Sequence, residues 1–423
     1  MSVRLSRLSN GLRVLADSMD TVETVSVGIW VDVGTRHEPA SVNGVAHLLE
    51  HMAFKGTERR SALEIASEIE AVGGHLNAYT SREHTAYYAK VLKQDTGLAV
   101  DILADILQHS VFDTAELERE RAVILQEIGQ AQDTPDDIVF DLFQERAYPD
   151  QPMGRPVLGR AEIVRAIERE TVAGYLKDNY AAPGMLLVAA GNCDHGDLVA
   201  LAEREFAGLP RQSQAQSLEA RAPARYAGGD HRETRDLEQA HIVLGFPGFA
   251  ASDPDYPAAS VVSAALGGGM SSRLFQEIRE KRGLVYSIYS FVQGYSDGGI
   301  FGVYAGTGEQ EAAELLPVLC EELAKLKHGF GPEELARARA QLKSGLLMSL
   351  EATSARVEQH ASHMLTFGRP FDPSELIRRI DDVDDAAVAR VAARFAGSRP
   401  TFAALGPIGK VEAYERLAER LGG

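Results

Sequence analysis

The chain has 423 residues, of which 45% are hydrophobic and 25% charged, and this length suffices for two or more domains that each bury a core. A formal net charge of -18, without a Lys or Arg block, argues against a nucleic-acid partner. No apolar run is long enough to predict a membrane span, and the strand pattern starting at the N-terminus leaves no room for a secretory signal, so we expect a cytoplasmic protein.

The first half of the chain mixes strand and helix patterns. Residues 3–15 predict two short strands around the turn Asn10-Gly11, and alternation over residues 25–33 predicts a half-buried strand. A helix is predicted from near Asn43, which is a plausible N-cap. Further predicted elements are a helix from the Ser61–Glu64 capping box to the glycines at 73–74, one or two strands over 75–92, helices over 96–109 and 114–131, and a buried strand near 183–190.

The second half repeats this order after a polar, proline-containing stretch at residues 207–228, which predicts a linker. The predicted elements are a strand over 241–246, helices over 255–266 and 271–281, strands over 284–293 and 299–305, and helices over 309–327 and 332–351. The repeated order predicts a duplicated α+β fold in which each domain packs an antiparallel-rich sheet against helices. We predict a metal-binding domain at 1–210, a linker at 211–228 and a second domain at 229–423. The two cysteines, Cys193 and Cys320, predict buried thiols rather than a disulfide.

Residues 47–51 read His-Leu-Leu-Glu-His, the inverted order of the His-Glu-x-x-His zinc signature. On a helix with about 100° per residue, His47 and His51 lie roughly 40° apart and Glu50 falls beside them. Leu48 and Leu49 turn away towards a core. One face therefore holds two imidazoles that can bind a zinc ion and a carboxylate that can accept a proton. The alternatives are two surface histidines, or a buried histidine with a satisfied hydrogen bond.

A catalytic zinc needs a third protein ligand, with water in the fourth position. The next acidic helix, over residues 114–131, carries Glu116, Glu120 and Glu127 on one face, together with Glu118 elsewhere. Any of the three on that face can complete the site, and spacing does not choose between them. The alternative is a solvated acidic stripe.

Two motifs resemble those of the inverted-zincin family that includes pitrilysin, insulin-degrading enzyme and the mitochondrial processing peptidases. Residues 47–57, His-Leu-Leu-Glu-His-Met-Ala-Phe-Lys-Gly-Thr, are similar to the metal helix of the processing-peptidase branch, and residues 77–83, Asn-Ala-Tyr-Thr-Ser-Arg-Glu, are similar to its substrate-binding strand. The resemblance covers nearly the whole chain and implies one zinc ion per chain. It implies Glu127 as the third zinc ligand and Glu120 as a supporting residue that orients a ligand. It also implies that the two domains form half of a clamshell.

The same resemblance implies a second functional pair. Arg279 and Tyr286, seven residues apart, match an arginine and a tyrosine that hydrogen-bond the substrate backbone near the zinc in the family. In the long-chain members this pair sits in the half of the chain opposite the zinc half. The resemblance therefore implies a homodimer with composite active sites, or a heterodimer with a paralogue. On the residues alone, a surface arginine and a strand tyrosine are the alternatives.

Further substrate contacts are implied around the predicted site. Asn77, Ala78 and Tyr79 lie on a strand that can add an extended peptide as an extra strand, or are an ordinary strand. Phe54 either lines the pocket after the scissile bond or belongs to the core.

Two carboxylates, Asp137 and Asp141, stand four residues apart and match the positions at which processing peptidases recognise an arginine. Asp137 replaces the glutamate that the family has there.

These observations predict a zinc metalloendopeptidase that hydrolyses unfolded or presequence-like oligopeptides in an enclosed dimer chamber. Glu50 is the predicted general base, and it returns the proton to the leaving amine. A non-catalytic or partner-dependent peptide-binding subunit of a processing-peptidase-like complex is the alternative. Such subunits usually show a broken metal motif, whereas His47, Glu50, His51 and Glu127 are all present here.

Overall fold

The structure is a computed structural model that describes residues 2–213 and 223–422. Residues 214–222, which form the middle of the predicted linker, lie outside the described part of the chain. Among the described residues, no helix combines the length and the apolar character that crossing a bilayer requires.

The described residues group into two compact units. The first unit holds residues 2–129, 155–213 and 348–371, and the second holds residues 130–154, 223–347 and 372–422. Each unit thus takes up a segment from the other half of the sequence. The division into domains at 1–210 and 229–423 stays a prediction.

The first unit combines one sheet with helices. Its strands are β1 Ser2–Arg7, β2 Arg13–Ser18, β3 Thr24–Val31, β4 His75–Thr80, β5 Thr85–Leu92 and β6 Met185–Gly191. Its α-helices are α1 Val45–Ala53, α2 Ala62–Ala71, α3 Thr96–Gln108, most of α4 Thr114–Gln132, α6 Ala161–Val164, α7 Arg169–Asn179, α8 His195–Glu205 and α12 Thr353–Phe367.

Local sequence explains several of these elements. The β1–β2 turn contains Gly11 at a φ of +101°, a value that favours glycine, and Oδ1 of Asn10 accepts a hydrogen bond from the amide of Leu12. Helix α2 begins with the predicted capping box, in which the Ser61 hydroxyl accepts from the amide of Glu64 while Oε2 of Glu64 accepts from the amide of Ser61.

The first sheet has the strand order β1-β2-β6-β3-β5-β4, and every neighbouring pair is antiparallel except the parallel pair β2–β6. Strand β4 therefore lies at an edge. The prediction of a half-buried β3 was wrong, because seven of its eight residues are buried. Helix α12 covers the second face of the sheet, where Trp30 packs in one cluster with Val357 and Met364. Alternation in a single strand cannot reveal a covering helix that comes from the other half of the chain.

The second unit repeats this architecture. Its strands are β7 Gly229–Thr234, β8 Ala240–Pro247, β9 Ser287–Gly294, β10 Gly299–Thr307 and β11 Thr401–Gly406. Its α-helices are α5 Pro135–Ala147, α9 Tyr256–Gly267, α10 Ala312–Ala324, most of α11 Pro332–Ser349, α13 Pro373–Asp381, α14 Asp385–Ala396 and α15 Tyr414–Arg420. The predicted helix over 271–281 contains a π-helix, Phe275–Glu280.

The second sheet has the order β7-β11-β8-β10-β9, with β7–β11 parallel and the other pairs antiparallel. Five strands of the first sheet, β2-β6-β3-β5-β4, are arranged in the same way, and their parallel pair β2–β6 corresponds to β7–β11. Helix α5 packs on β11 and β8, as α12 packs on β6 and β3.

The predicted α+β class with two similar sheet-and-helix units is confirmed. The clamshell arrangement of the units stays a prediction. Cys193 and Cys320 are both free thiols.

Candidate metal centre

Helix α1 turns its apolar residues inwards and its polar residues to the opposite side, as the motif predicts. Leu48 and Leu49 are buried in the core of the first unit. His47, Glu50 and His51 are only partly buried. The rings of the two histidines lie edge to face, with 4.7 Å between their centroids.

Glu127 of α4 lies across from this face of α1. Its Oε2 atom is 3.8 Å from Nε2 of His47 and 3.7 Å from Nε2 of His51. Within the described part of the chain, these three residues are the one group of three or more His, Cys, Asp or Glu residues arranged to hold a metal ion. Of the three glutamates that spacing left open, Glu127 is thus the one grouped with both histidines, and its role as a metal ligand stays a prediction.

The three residues fit a zinc ion. Ligand atoms about 2.0–2.1 Å from a tetrahedral zinc lie about 3.4 Å apart, close to the observed distances. Oε2 of Glu127 is buried and has no hydrogen-bond partner among the described residues. A buried carboxylate oxygen without a partner is costly unless a cation satisfies it. Burial, together with the neighbouring His51, lowers the pKa of His47 to about 4, and the neutral imidazole is the form that binds a metal.

Glu120 holds the other side of the His51 ring. Its Oε2 atom lies 2.9 Å from Nδ1 of His51, and its Oε1 atom accepts a hydrogen bond from Nζ of Lys55 at 2.7 Å. Burial would raise the pKa of Glu120, but the hydrogen bonds from Lys55 and His51 outweigh burial and lower it. An ionised carboxylate only accepts, so Nδ1 carries the hydrogen and Nε2 keeps the lone pair that a metal needs. Sequence reasoning missed Lys55.

Glu50 lies beside this group of residues and is held by strand β4. The Thr80 hydroxyl donates a hydrogen bond to Oε2 of Glu50 at 2.5 Å. Burial raises the pKa of Glu50, although the hydrogen bond from Thr80 and the charge of His51 act in the opposite direction. The carboxylate is thus oriented and made more basic, as a proton acceptor requires. Thr80 was not predicted from the sequence, although it lies within the quoted strand motif.

The start of α1 differs from the prediction. Its N-cap is Gly44, and Asn43 does not cap the helix. The carboxylate of Glu38 instead accepts hydrogen bonds from the amides of Gly44 and Ala46 and from Nδ2 of Asn43. Burial raises the pKa of Glu38 to about 7, even though these three donors favour its charged form. Sequence reasoning missed Glu38, because a cap across a loop has no fixed spacing.

Strand β4 is next to α1, and it is an edge strand of its sheet. Ala78 is partly buried against the core, and Asn77 is exposed with its Oδ1 atom accepting from the amide of Ala78. The Tyr79 hydroxyl donates to Glu358 of α12 at 2.7 Å and accepts from Nε1 of Trp30 at 3.2 Å. The Tyr79 side chain is therefore engaged within the unit, and the predicted substrate contact at this residue stays a prediction.

Phe54 is partly a core residue, and its predicted place in the pocket after the scissile bond stays a prediction. It packs partly against the core of the unit, with its ring centroid 6.3 Å from that of Tyr87. It also lines a groove of about 470 Å³ between α2 and the start of β4. Lys55, Asn77 and the apolar side chains of Ile65, Ile69 and Leu76 line the same groove.

The remaining predicted residues belong to the second unit. Asp137 and Asp141 lie on α5, and burial followed by repulsion from Asp141 and Asp136 raises the pKa of Asp137. Arg279 lies in the π-helix, and its guanidinium carbon is 5.9 Å from the centre of the Tyr286 ring. Tyr286 is 74% exposed. Short π-helical segments are frequent at functional sites.

Comparison with known proteins defines the class of protein to which this chain belongs. Residues 13–161 match the family model described as Insulinase (Peptidase family M16), and residues 166–342 match the model described as Peptidase M16 inactive domain. The chain belongs to peptidase family M16.

Individual relatives agree with this assignment. The chain is 40% identical over 413 residues to an uncharacterized zinc protease of Streptomyces coelicolor, covering 96% of this chain and 90% of the relative. It is 39% identical to a probable mitochondrial-processing peptidase subunit beta of Arabidopsis thaliana, covering 99% and 81%. A chain of the Candida albicans complex III2 structure with Inz-5 bound has the same fold, with a TM-score of 0.88 at 22% identity, and covers 99% of this chain and 100% of that one.

Proposed function

We propose that this chain is a zinc metalloendopeptidase. The observation that carries the proposal is the cluster of His47, His51 and Glu127 with the oriented carboxylate of Glu50 beside it. The M16 family and the zinc proteases among the relatives support a peptidase that uses zinc. One ion per chain is proposed because the described residues contain one such cluster. Three protein ligands are the number typical of catalytic zinc sites, in which water takes the fourth position.

The proposed chemistry divides the work between the metal and the chain. A zinc ion in this site would act as a Lewis acid on the peptide carbonyl and on water. Glu50 takes a proton from the attacking water and returns it to the leaving amine. Thr80 holds the Glu50 carboxylate in place, and Glu120 holds His51 in the tautomer that binds metal.

The substrate proposed for this site is an extended, unfolded peptide. An edge strand such as β4 can bind a peptide as a further strand through backbone hydrogen bonds, and Asn77, Ala78 and Tyr79 lie on it. Phe54 would contact a side chain in the neighbouring groove. Because one relative is named a mitochondrial-processing peptidase subunit, presequence-like peptides with an arginine are the proposed class, with Asp137 and Asp141 as its recognition residues.

The proposed assembly is a homodimer with composite sites in an enclosed chamber, in which Arg279 and Tyr286 of one subunit stabilise the substrate carbonyl at the zinc of the other. Two features of the second unit support this role. The phenol of Tyr286 is 74% exposed and available to a ligand, and Arg279 lies in a π-helix. A heterodimer with a paralogue would use the same residues.

Cleavage of an internally quenched peptide containing arginine tests the activity. We expect wild-type protein loaded with zinc to cleave it and a chelator to stop cleavage. Glu50→Gln should bind one zinc ion per chain and lose turnover. Glu116→Gln, on the same acidic helix as the proposed third ligand, is the matched control and should keep both properties. Zinc binding without cleavage in the wild type would instead support the non-catalytic or partner-dependent subunit.

Mixing two inactive variants tests the composite site. In a mixture of Glu50→Gln and Arg279→Ala chains, a shared site combines the intact Glu50 of one subunit with the intact Arg279 of its partner. Equal mixing should therefore restore about a quarter of wild-type activity in a twofold dimer. No recovery in a mixture that exchanges subunits would show that Arg279 does not act across a dimer.

A further inference from the structure

The metal-binding helix lacks a capping side chain of its own. Gly44, at a φ of +101°, is the N-cap of α1 and has no side chain to accept the free amides of the first turn. Glu38 supplies this function from six residues upstream. Its Oε2 atom accepts from the amide of Gly44 at 2.9 Å, and its Oε1 atom accepts from the amide of Ala46 at 2.8 Å.

Glu38 is itself firmly attached to the rest of the first unit. It is only 3% exposed, and its carboxylate also accepts from Nδ2 of Asn43 at 2.9 Å. Its backbone carbonyl accepts from Nη1 of Arg155 at 2.7 Å. A negative charge at a helix N-terminus is favourable, since the first amides carry partial positive charge. The start of α1 is therefore held at a defined position by a buried carboxylate.

The two metal histidines differ in how their rings are held. Nδ1 of His51 meets the carboxylate of Glu120, as described above. Nδ1 of His47 is buried, and no hydrogen-bond partner for it lies among the described residues. The placement of the His47 ring therefore depends on the backbone of the first helical turn, and Ala46, which donates to Glu38, directly precedes it.

We propose that Glu38 is a positioning residue for the metal site, acting through the first turn of α1 to hold His47 opposite Glu127. It touches neither substrate nor metal, and its effect is transmitted by the backbone. The inference rests on the proposed function in so far as that function supplies the metal. A zinc-affinity measurement keeps the two separable, because affinity is measurable even if the protein cleaves no peptide.

The variant Glu38→Gln tests the proposal. Glutamine has the same size, but it offers one acceptor oxygen and turns an NH2 group towards amides that are themselves donors. At pH 8 the wild-type carboxylate is ionised, because the pKa of Glu38 is about 7. We expect the zinc Kd of the variant to rise about 10-fold or more, the usual effect of removing support from a ligand. Hydrogen exchange of the amides at the start of α1 should also quicken in the metal-free protein.

Two controls separate positioning from a general loss of stability. Asp194 is also a capping carboxylate, since it accepts from the amides of Gly196 and Asp197 at the start of α8, but α8 carries no proposed metal ligand. Asp194→Asn should therefore leave the zinc Kd unchanged. Asp17→Asn removes a buried carboxylate of the same unit whose partners are Arg356 and His360 of α12, and it should lower the unfolding midpoint without changing the zinc Kd.

The outcomes are distinct. A wild-type zinc Kd in Glu38→Gln overturns the proposal. The proposal is also overturned if Asp17→Asn, with an unfolding midpoint as low as that of Glu38→Gln, shows the same rise in zinc Kd. If Glu38→Gln does not fold, Glu38→Asp, which keeps both oxygens on a shorter side chain, takes its place, with a smaller rise in Kd expected.

Discussion

Nδ1 of His51 lies 2.9 Å from Oε2 of Glu120, on the side of the ring away from the Nε2 atom that faces Glu127. The contact fixes both the tautomer and the orientation of a proposed metal ligand. Lys55 neutralises the other oxygen of the same carboxylate. Glu120 is therefore held in its ionised form and directed at the histidine.

Replacing Glu120 by Gln should weaken zinc binding by about 10- to 100-fold. The amide lacks the charge that favours the metal-binding tautomer of His51, and its NH2 group competes with Lys55 and His51 as a donor. Competition against a chelator of known affinity measures the zinc Kd. Glu116→Gln, on the same helix, should retain the wild-type Kd, and an unchanged Kd in Glu120→Gln would contradict this role.

Glu127→Gln should raise the zinc Kd by at least about 100-fold, because each ligand contributes several kcal/mol of the binding free energy. The measurement is zinc content after dialysis, followed by titration. Glu118→Gln is the control on α4, since the Glu118 side chain pairs with Arg121. A zinc Kd in Glu127→Gln no higher than that of the Glu118→Gln control would show that the ligand set is wrongly assigned.

Tyr79→Phe should lower the stability of the fold more than it affects peptide binding. The lost hydroxyl donates to Glu358 and accepts from Trp30, so its removal should cost about 1–3 kcal/mol of unfolding free energy. The KM for a peptide should change little, because only the β4 backbone at this residue is proposed to bind it. A double-mutant cycle with Glu358→Gln isolates the pair. A large rise in KM with unchanged stability would instead assign the side chain to the substrate.

The contact between Asp17 and α12 predicts a pH-dependent stability. Asp17 is 1% exposed and accepts hydrogen bonds from Arg356 at 2.7 Å and His360 at 3.2 Å. Burial would raise the pKa of Asp17, but these two partners outweigh burial and lower it. Asp17→Asn leaves the guanidinium of Arg356 without its charged partner and should cost about 3 kcal/mol at neutral pH.

Because the pKa of Asp17 is lower in the folded state, its stabilising effect is complete above the unfolded pKa and is lost as the pH falls through the folded pKa. The gap in urea midpoint between wild type and Asp17→Asn should stay constant from about pH 7 to about pH 5 and narrow below about pH 4. Asp20→Asn, an exposed neighbour, controls for the change in charge. A gap that narrows already between pH 7 and pH 5 would contradict the lowered pKa.

Some features of the site follow from local sequence alone. The spacing of His47, Glu50 and His51 places them on one face of any regular helix, because a helix has a fixed number of residues per turn. The Asn10-Gly11 turn and the Ser61 capping box were also predictable from the sequence, because each is formed by residues within three positions of one another.

Other features depend on contacts between distant residues. Spacing made three glutamates on one face of α4 equivalent candidates for the third metal ligand. The packing of α4 beside α1 brings Glu127 to both histidines, and it brings Glu120 to the opposite side of the His51 ring. Glu38 was missed because its hydrogen bonds cross a loop whose path depends on a left-handed glycine, Gly44.

The sequence by itself therefore determined the chemistry of the metal helix and the duplicated order of strands and helices, because both depend on short-range periodicity. Only the tertiary structure decided which carboxylates meet the histidines and that both faces of β3 are covered. Ser26 of β3 and Thr353 of α12, whose hydroxyls are 2.8 Å apart, are separated by 327 positions in the chain. Contacts of that range arise from the packing of whole elements, and no local pattern in either segment specifies them.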